Sequence, residues 1–246
     1  MNINKLKRIA ESGDTDAQNN LGVCYYNGDG VEQNYNEAVK WFKKAANQGY
    51  ASAQYNLGVC YANSKGIEQD YKQAVYWYKK AAEQDNAYAQ SALGNRYYYG
   101  DGVEQDYKKA VELFKKAAEQ DYAPAQNNLG MCYYDGKGVE QNYEKAVYWI
   151  KKAVEQDAAY AQDSLANCYF YGHGVEQNYE KAVEWFKKAA EQDCGEAQRS
   201  LGNCYVLGAG VPQDYEKAKM WHDKAKENGE EFDEKLLKEM EEAFNS

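Results

Sequence analysis

The sequence predicts an all-α solenoid of short helix-turn-helix repeats, and three observations support this fold class. The dipeptide Ala-Gln recurs at a fixed period of 36 residues, beginning at positions 17, 53, 89, 125, 161 and 197. Each copy carries two apolar stripes with helical spacing, and a turn containing glycine separates them. A strict period of this size is typical of stacked repeats and not of one compact core.

The first predicted helix of each repeat, helix A, carries an apolar stripe at spacing i, i+4, i+7 and i+8. In the first copy this stripe consists of Ala17, Leu21, Cys24 and Tyr25. Gly22 lies inside the helix, where glycine costs about 1 kcal/mol relative to alanine. Its recurrence predicts that another backbone passes close by. Gly28 and Gly30 form a Gly-x-Gly turn that ends helix A, because glycine adopts the left-handed conformation of helix C-caps.

The second predicted helix, helix B, begins at an Asn or Asp in every copy. These N-cap residues are Asn34, Asp70, Asp106, Asn142, Asn178 and Asp214. In the first two copies Glu37 and Gln73 follow three residues later, which predicts a capping box. The buried stripe of the first helix B is predicted to contain Tyr35, Ala38, Phe42 and Ala45. The helix is expected to end near Gly49 or the Asp that replaces it in later copies.

The repeats divide the chain into three predicted parts. Residues 1–13 align with the second half of a repeat and are expected to form an N-terminal capping helix. Six full repeats follow, at 14–49, 50–85, 86–121, 122–157, 158–193 and 194–229. Residues 230–246 carry apolar residues at helical spacing and are expected to form a C-terminal capping helix.

Charge and the N-terminal residues predict a cytoplasmic protein that binds neither nucleic acid nor membrane. The net charge is −10 and no basic patch stands out, which disfavours polyanionic partners. The first residues lack the apolar core of a signal peptide, and the chain contains no run of eighteen apolar residues. We expect a monomer.

No pattern of an enzyme, a metal site or a cofactor site is found, so none is predicted. His173 and His222 are far apart in the array, and no Cys-x-x-Cys or second His completes a metal site. The Gly-x-Gly turns follow a helix and not a strand, so they are not nucleotide-binding loops. Five of the six cysteines share one register: Cys24, Cys60, Cys132, Cys168 and Cys204. Equivalent positions lie about 8–10 Å apart, too far for disulfides, so these are expected to be buried free thiols.

The repeated motif identifies a family. The pattern A-x-A-Q-x-x-L-G-x-x-Y, then G-x-G-V, then Q-x-Y-x-x-A-V-x-W-x-x-K-A-A resembles the Sel1-like repeat, a relative of the tetratricopeptide repeat. The resemblance implies antiparallel helix pairs in a right-handed superhelix with helix A on the concave side. It also implies that the chain is an adaptor that assembles protein complexes.

The face of helix A opposite the apolar stripe is predicted to line a binding groove. We call the following residues the groove stripe: Asn19, Val23, Tyr26, Tyr55, Val59, Tyr88, Asn95, Tyr98, Asn127, Met131, Tyr134, Tyr160, Asn167, Phe170, Arg199 and Asn203. The stripe is rich in Tyr and Asn and nearly free of charge. Tyr offers a large contact area with few rotors, and Asn pairs with peptide amides. Arg199 and Asn203 lie one turn apart and form a candidate clamp for a carboxylate.

These patterns predict a non-enzymatic scaffold for protein–protein interaction that binds a peptide or partner segment in the groove. An architectural role is the alternative, in which the repeats space domains or self-assemble and the groove stays empty. The similarity of the copies is compatible with natural duplication and with consensus engineering.

Overall fold

A computed structural model describes residues 3–230, and this part of the chain contains helices and no strands. The predicted all-α fold class is therefore confirmed. The helices are α1 Ile3–Glu11, α2 Thr15–Asn27, α3 Tyr35–Asn47, α4 Ala51–Ala62, α5 Tyr71–Ala82, α6 Ala87–Tyr99, α7 Tyr107–Ala118, α8 Ala123–Asp135, α9 Tyr143–Val154, α10 Ala159–Tyr171, α11 Tyr179–Glu191, α12 Gly195–Leu207 and α13 Tyr215–Glu227. The predicted C-terminal capping helix lies outside the described residues, apart from Glu230.

The chain consists of two compact units, Met1–Tyr122 and Ala123–Ser246. The first contains α1–α7 and the second contains α8–α13. Within each unit every helix packs against the next helix along the chain. Short turns between packed neighbours make each pair antiparallel. The even-numbered helices are helix A of a repeat, and α3 and the later odd-numbered helices are helix B.

Each repeat is held together by an apolar core between its two helices. In the first repeat Leu21 of helix A and Ala38, Phe42 and Ala45 of helix B are all but inaccessible to solvent. Cys24 and Tyr25 of the predicted stripe are only partly buried. The predicted stripes therefore place the core of the first repeat correctly, although Tyr35 of the helix B stripe is also only partly buried.

The glycine inside helix A faces a ring of helix B in four repeats, which corrects the expected close approach of a backbone there. Gly130 of the fourth repeat instead faces Ile150 and the backbone carbonyl of Ala146. A Cβ built on Gly22 would lie 2.6 Å from ring atoms of Phe42, and one built on Gly94 would lie 2.6 Å from the ring of Phe114. Larger side chains would push the helix B ring out of the core. A backbone does approach closely at the second glycine of the turn. A Cβ on Gly102 would lie 2.5 Å from the carbonyl carbon and oxygen of Tyr71, which begins helix B of the preceding repeat.

Helix B is capped as predicted, but the capping box does not form. Asn34 accepts a hydrogen bond from the backbone N–H of Glu37, and the equivalent bond forms in all six repeats. The Glu37 carboxylate pairs with Lys40 and does not reach back to the cap. The backbone N–H of Asn34 instead donates to the carbonyl of Tyr25, 2.8 Å away. This bond also ties the start of helix B to helix A, and it recurs in each repeat.

Buried glutamines form a polar link between repeats that the sequence pattern did not predict. Gln54 is 4 % exposed, donates to the carbonyl of Ala46 in the preceding repeat and accepts from Gln84 in its own. Equivalent glutamines recur at the Gln of every Ala-Gln dipeptide. A buried amide is stable only when its donors and acceptors are paired. Gln54 therefore fixes two helix B ends against one helix A.

Candidate functional site: the groove stripe of helix A

All sixteen groove-stripe residues lie on helix A of their repeats, but they differ in exposure. Tyr88 and Tyr160 are exposed, and most of the others are half-buried. Asn19 and Asn127 are buried. The Asn19 side chain accepts a hydrogen bond of 2.9 Å from Asn56 of the next repeat. Asn19 therefore connects neighbouring helices and contributes little accessible surface.

The first unit brings four groove-stripe residues together around a cavity of about 230 Å³. Val23 and Tyr26 come from α2, and Tyr55 and Val59 come from α4. Asn27, Phe42 and Asn56, which are not part of the groove stripe, complete the lining of the cavity. The cavity thus has apolar and aromatic walls with side-chain amides beside them. Such a site fits an apolar side chain of a peptide, and the side-chain amides can form hydrogen bonds with the peptide backbone beside it.

Three tyrosine rings continue from this cavity along the first unit. The ring centroids of Tyr55 and Tyr88 are 5.7 Å apart, and those of Tyr88 and Tyr122 are 4.8 Å apart. Tyr88 is 53 % exposed in the middle of this row. Burial raises the pKa of Tyr55, so its hydroxyl stays protonated at neutral pH. Tyr122 lies outside the predicted stripe, since it precedes helix A by one residue.

The last aromatic ring of the stripe in most repeats packs on helix B of the same repeat. The pairs are Tyr26 with Tyr35, Tyr98 with Tyr107, Tyr134 with Tyr143 and Phe170 with Tyr179, all edge-to-face at 5.0–5.1 Å between centroids. This geometry is the favoured one for aromatic pairs and holds the rings in place. The second repeat has the buried Ala62 at this position and therefore has no ring to form this pair.

In the second unit a histidine, His173, packs against the ring pair of Tyr134 and Tyr143. The Tyr134 hydroxyl and His173 Nδ1 are 2.6 Å apart, and the imidazole stacks on Tyr143 at 4.4 Å between centroids. Burial raises the pKa of Tyr134 to about 12. His173 therefore belongs to a polar and aromatic cluster with a groove-stripe residue, although the sequence suggested no role for it.

Asp163 is a buried carboxylate at the helix A position that Asn19 and Asn127 occupy in other repeats. Asp163 is 6 % exposed, its Oδ2 accepts from Asn167 at 3.0 Å, and its Oδ1 has no hydrogen-bond partner among residues 3–230. Burial, followed by the nearby charge of Glu196, raises the pKa of Asp163 to about 7. Removing a carboxylate from water disfavours its charged form. This side chain is therefore a proton-binding group in the neutral range.

Arg199 and Asn203, the candidate clamp for a carboxylate, each contact another residue of the chain. Arg199 Nε pairs with the Glu230 carboxylate at 3.2 Å. Asn203 Oδ1 lies 3.1 Å from His222 Nε2 of helix B. The two side chains are thus directed to different partners within the chain.

The described residues, 3–230, also bear on metal binding, membrane insertion and thiol chemistry. No group of three or more His, Cys, Asp or Glu side chains there is arranged to hold a metal ion. Across the same described range, none of the helices has the length and apolar character needed to cross a membrane. The six cysteines are free thiols, and Cys24 and Cys194 are the partly buried ones.

Comparison with protein-family models decides the family. The Sel1 repeat model matches residues 15–50, 51–86, 87–122, 123–157, 159–194 and 195–230, which is most of the chain. The chain belongs to the Sel1 repeat family. Sel1 repeat proteins commonly serve as protein-interaction scaffolds. The comparison with curated proteins gives no match.

Solved structures of Sel1 repeat proteins resemble the chain closely. A Sel1 repeat protein from Oxalobacter formigenes is 36% identical, with a TM-score of 0.81 over 87% of this chain and 85% of that one. The protein c5321, described as a protective antigen present in uropathogenic Escherichia coli strains and displaying an SLR fold, is 39% identical with a TM-score of 0.79. That match covers 94% of this chain and 49% of the other, so this Sel1 repeat chain spans about half the length of c5321.

Proposed function

We propose that this Sel1 repeat protein is a non-enzymatic adaptor that binds an extended peptide segment of a partner protein along the groove stripe of its first unit. One observation carries the proposal. Four residues selected from the sequence as groove lining, Val23, Tyr26, Tyr55 and Val59, converge on a single cavity. A binding groove requires such convergence, which chance variation between copies does not predict.

The cavity and the tyrosine row suggest how the peptide is held. An apolar side chain of the peptide fills the cavity between Tyr26 and Tyr55, and the amides of Asn27 and Asn56 bond its backbone. The next part of the peptide packs on Tyr88, whose ring is exposed while its neighbours are partly buried. Rigid aromatic surfaces of this kind supply contact area at low entropic cost.

Affinity measurements on matched variants test the proposal. Peptides that bind the full chain are selected from a random peptide library, and Kd is measured by fluorescence anisotropy. We expect Tyr88→Ser, which removes an exposed ring, and Val59→Phe, which fills the cavity, each to weaken binding by about tenfold or more.

Tyr76 provides the matched control. It is 47 % exposed, close to the value for Tyr88, but it lies on helix B of the second repeat. Tyr76→Ser is expected to leave Kd unchanged. Equal affinity of all three variants and the original chain would refute the groove, and concentration-dependent self-association without peptide binding would favour the architectural role.

A further inference from the structure

One position of helix B departs from the repeat pattern in the third repeat. Five repeats have a tryptophan there, at Trp41, Trp77, Trp149, Trp185 and Trp221, and the third has Leu113. This face of the repeat is separate from the groove stripe.

Leu113 occupies the same place in the packing as the tryptophans do. Trp77 packs against the core formed by helix B of the first repeat and helix A of the second. Leu113 packs in the same way one repeat later, against a core that includes Val75 and Leu93. Because leucine is smaller than tryptophan and lacks a flat ring, the third repeat leaves part of this space unfilled.

A cavity of about 300 Å³ lies beside Leu113, between the B helices of the second and third repeats. Its apolar walls are Ala82, Leu93, Tyr97 and Leu113, and its charged rim consists of Lys79, Glu83, Lys109, Glu112 and Lys116. We call it the Leu113 pocket.

Lys116, at the edge of this pocket, differs from the equivalent lysines of other repeats in what lies beneath it. In three repeats the lysine three residues after the tryptophan lies over the indole ring: Lys44 over Trp41 at 4.0 Å, Lys188 over Trp185 at 4.1 Å and Lys224 over Trp221 at 4.7 Å. In the second repeat Lys80 lies nearer to the Tyr76 ring, at 5.1 Å, than to the Trp77 ring, at 6.0 Å. Lys116 is the equivalent residue, and its own repeat supplies no indole beneath it. An ammonium over an aromatic face is attractive, most of all over indole.

We propose that the Leu113 pocket binds a small ligand of the indole class, whose ring takes the place that tryptophan fills in the other repeats. Leu93, Tyr97 and Leu113 contact the faces and edge of the ring. Lys116 lies over the ring, and the Glu112 carboxylate accepts a hydrogen bond from the ring N–H. The pocket thus offers an apolar floor, a cation and an acceptor for one flat heterocycle.

Titration of the full chain with 5-fluoroindole, followed by ¹⁹F NMR, tests this proposal. We expect one site with a Kd of about 1 mM or tighter. Leu113→Trp fills the pocket and should weaken binding at least about tenfold, while its helical circular dichroism stays intact and its unfolding midpoint does not fall. Lys116→Ala changes only an exposed side chain and should weaken binding about threefold through the lost cation–π contact.

A variant that gains a site completes the test. Trp185→Leu re-creates the same vacancy in the second unit beneath Lys188, and it should bind two equivalents of 5-fluoroindole. No binding by the original chain at millimolar concentration, or unchanged binding by both Leu113→Trp and Lys116→Ala, would overturn the proposal. A Trp185→Leu protein that folds but still binds only one equivalent would overturn it as well.

Discussion

The side-chain amide of Gln48, at the end of helix B, donates a hydrogen bond of 2.8 Å to the side-chain Oε1 of the buried Gln18 on helix A. Gln18 also donates to the carbonyl of Ala10 in the preceding helix, 3.1 Å away. One buried amide therefore joins three successive helices. Because the arrangement recurs along the chain, the polar glutamines are as much a part of the repeat's core as Leu21 and Phe42 are.

Replacing a buried glutamine should cost more than replacing its exposed partner. Gln54→Leu removes the acceptor of Gln84 and one donor to the Ala46 carbonyl, which still accepts from the backbone N–H of Gly49. We expect the free energy of unfolding to fall by about 1–3 kcal/mol. Gln84→Ala, at the exposed end of the same bond, should cost about 0.5–1.5 kcal/mol. Urea unfolding followed by circular dichroism measures both, and equal losses would show that burial of the amide is unimportant.

Substitutions at two turn glycines distinguish the cost of a left-handed backbone from the cost of a steric clash. Gly30 and Gly102 have nearly the same φ, +71° and +74°. A Cβ on Gly30 would meet nothing within 4 Å, but one on Gly102 would meet the backbone of Tyr71. Gly30→Ala should therefore cost about 1–2 kcal/mol for the left-handed conformation alone. Gly102→Ala should cost clearly more, because the preceding repeat must move. Similar unfolding midpoints for the two variants would contradict the close contact between repeats.

The Asp163 carboxyl makes stability depend on pH. Its folded-state pKa of about 7 lies above the ordinary value of 3.8, so the folded state binds the proton more tightly than the unfolded state does. The protonated side chain carries no penalty below pH 4. The penalty grows as pH rises from about 4 to 7 and is complete above that range.

Asp163→Asn should remove this dependence, since Asn127 occupies the equivalent position one repeat earlier. At pH 8 the variant should be more stable than the original chain by about 1–4 kcal/mol, and at pH 4 the two should be alike. Glu196, Arg199 and Glu230, whose charges act on Asp163, are unchanged in both proteins. Unfolding curves at several pH values measure the difference. A difference that does not vary with pH would contradict the assigned pKa.

The six thiols should differ in reactivity. Burial raises the pKa of Cys60 and Cys132 to about 12 and that of Cys168 and Cys204 to about 11, so these sulfurs stay protonated and covered. Thiol reagents attack the exposed thiolate.

With Ellman's reagent at pH 8, we expect the partly buried Cys24 and Cys194 to react first in the folded protein. The four buried thiols should react only after denaturant is added. Mass spectrometry of the modified peptides identifies the sites, and early modification of Cys60 would contradict the packing of the second helix A.

The local structure was predictable where one residue type has one physical role. Asn34 caps helix B and Gly28 ends helix A, because few other residues suit those backbone positions. Gln18 escaped prediction because a polar residue beside an apolar stripe is usually solvated, and its partners lie eight and thirty residues away. The ring beside Gly22 was missed for a related reason: small size indicates a close neighbour but not which one.

The sequence pattern predicted which face of helix A carries the groove stripe. It did not predict which residues of that face are accessible or which of them lie together. Helical spacing places Val23 and Tyr26 together. The 36-residue period adds Val59, the counterpart of Val23, and Tyr55, the counterpart of Asn19, only by analogy. The contribution of Tyr122 depends on how far each repeat is displaced from the last, which spacing along one helix does not specify. The burial of Asn19 likewise depends on Asn56 of the next repeat.

A crystal structure of the full chain with a library-selected peptide tests the central claim most directly. We expect an apolar peptide side chain in the cavity between Tyr26 and Tyr55, with the peptide backbone bonded to Asn27 or Asn56 and the peptide continuing over Tyr88. A peptide bound to the helix B face, with the cavity between α2 and α4 empty, would contradict it.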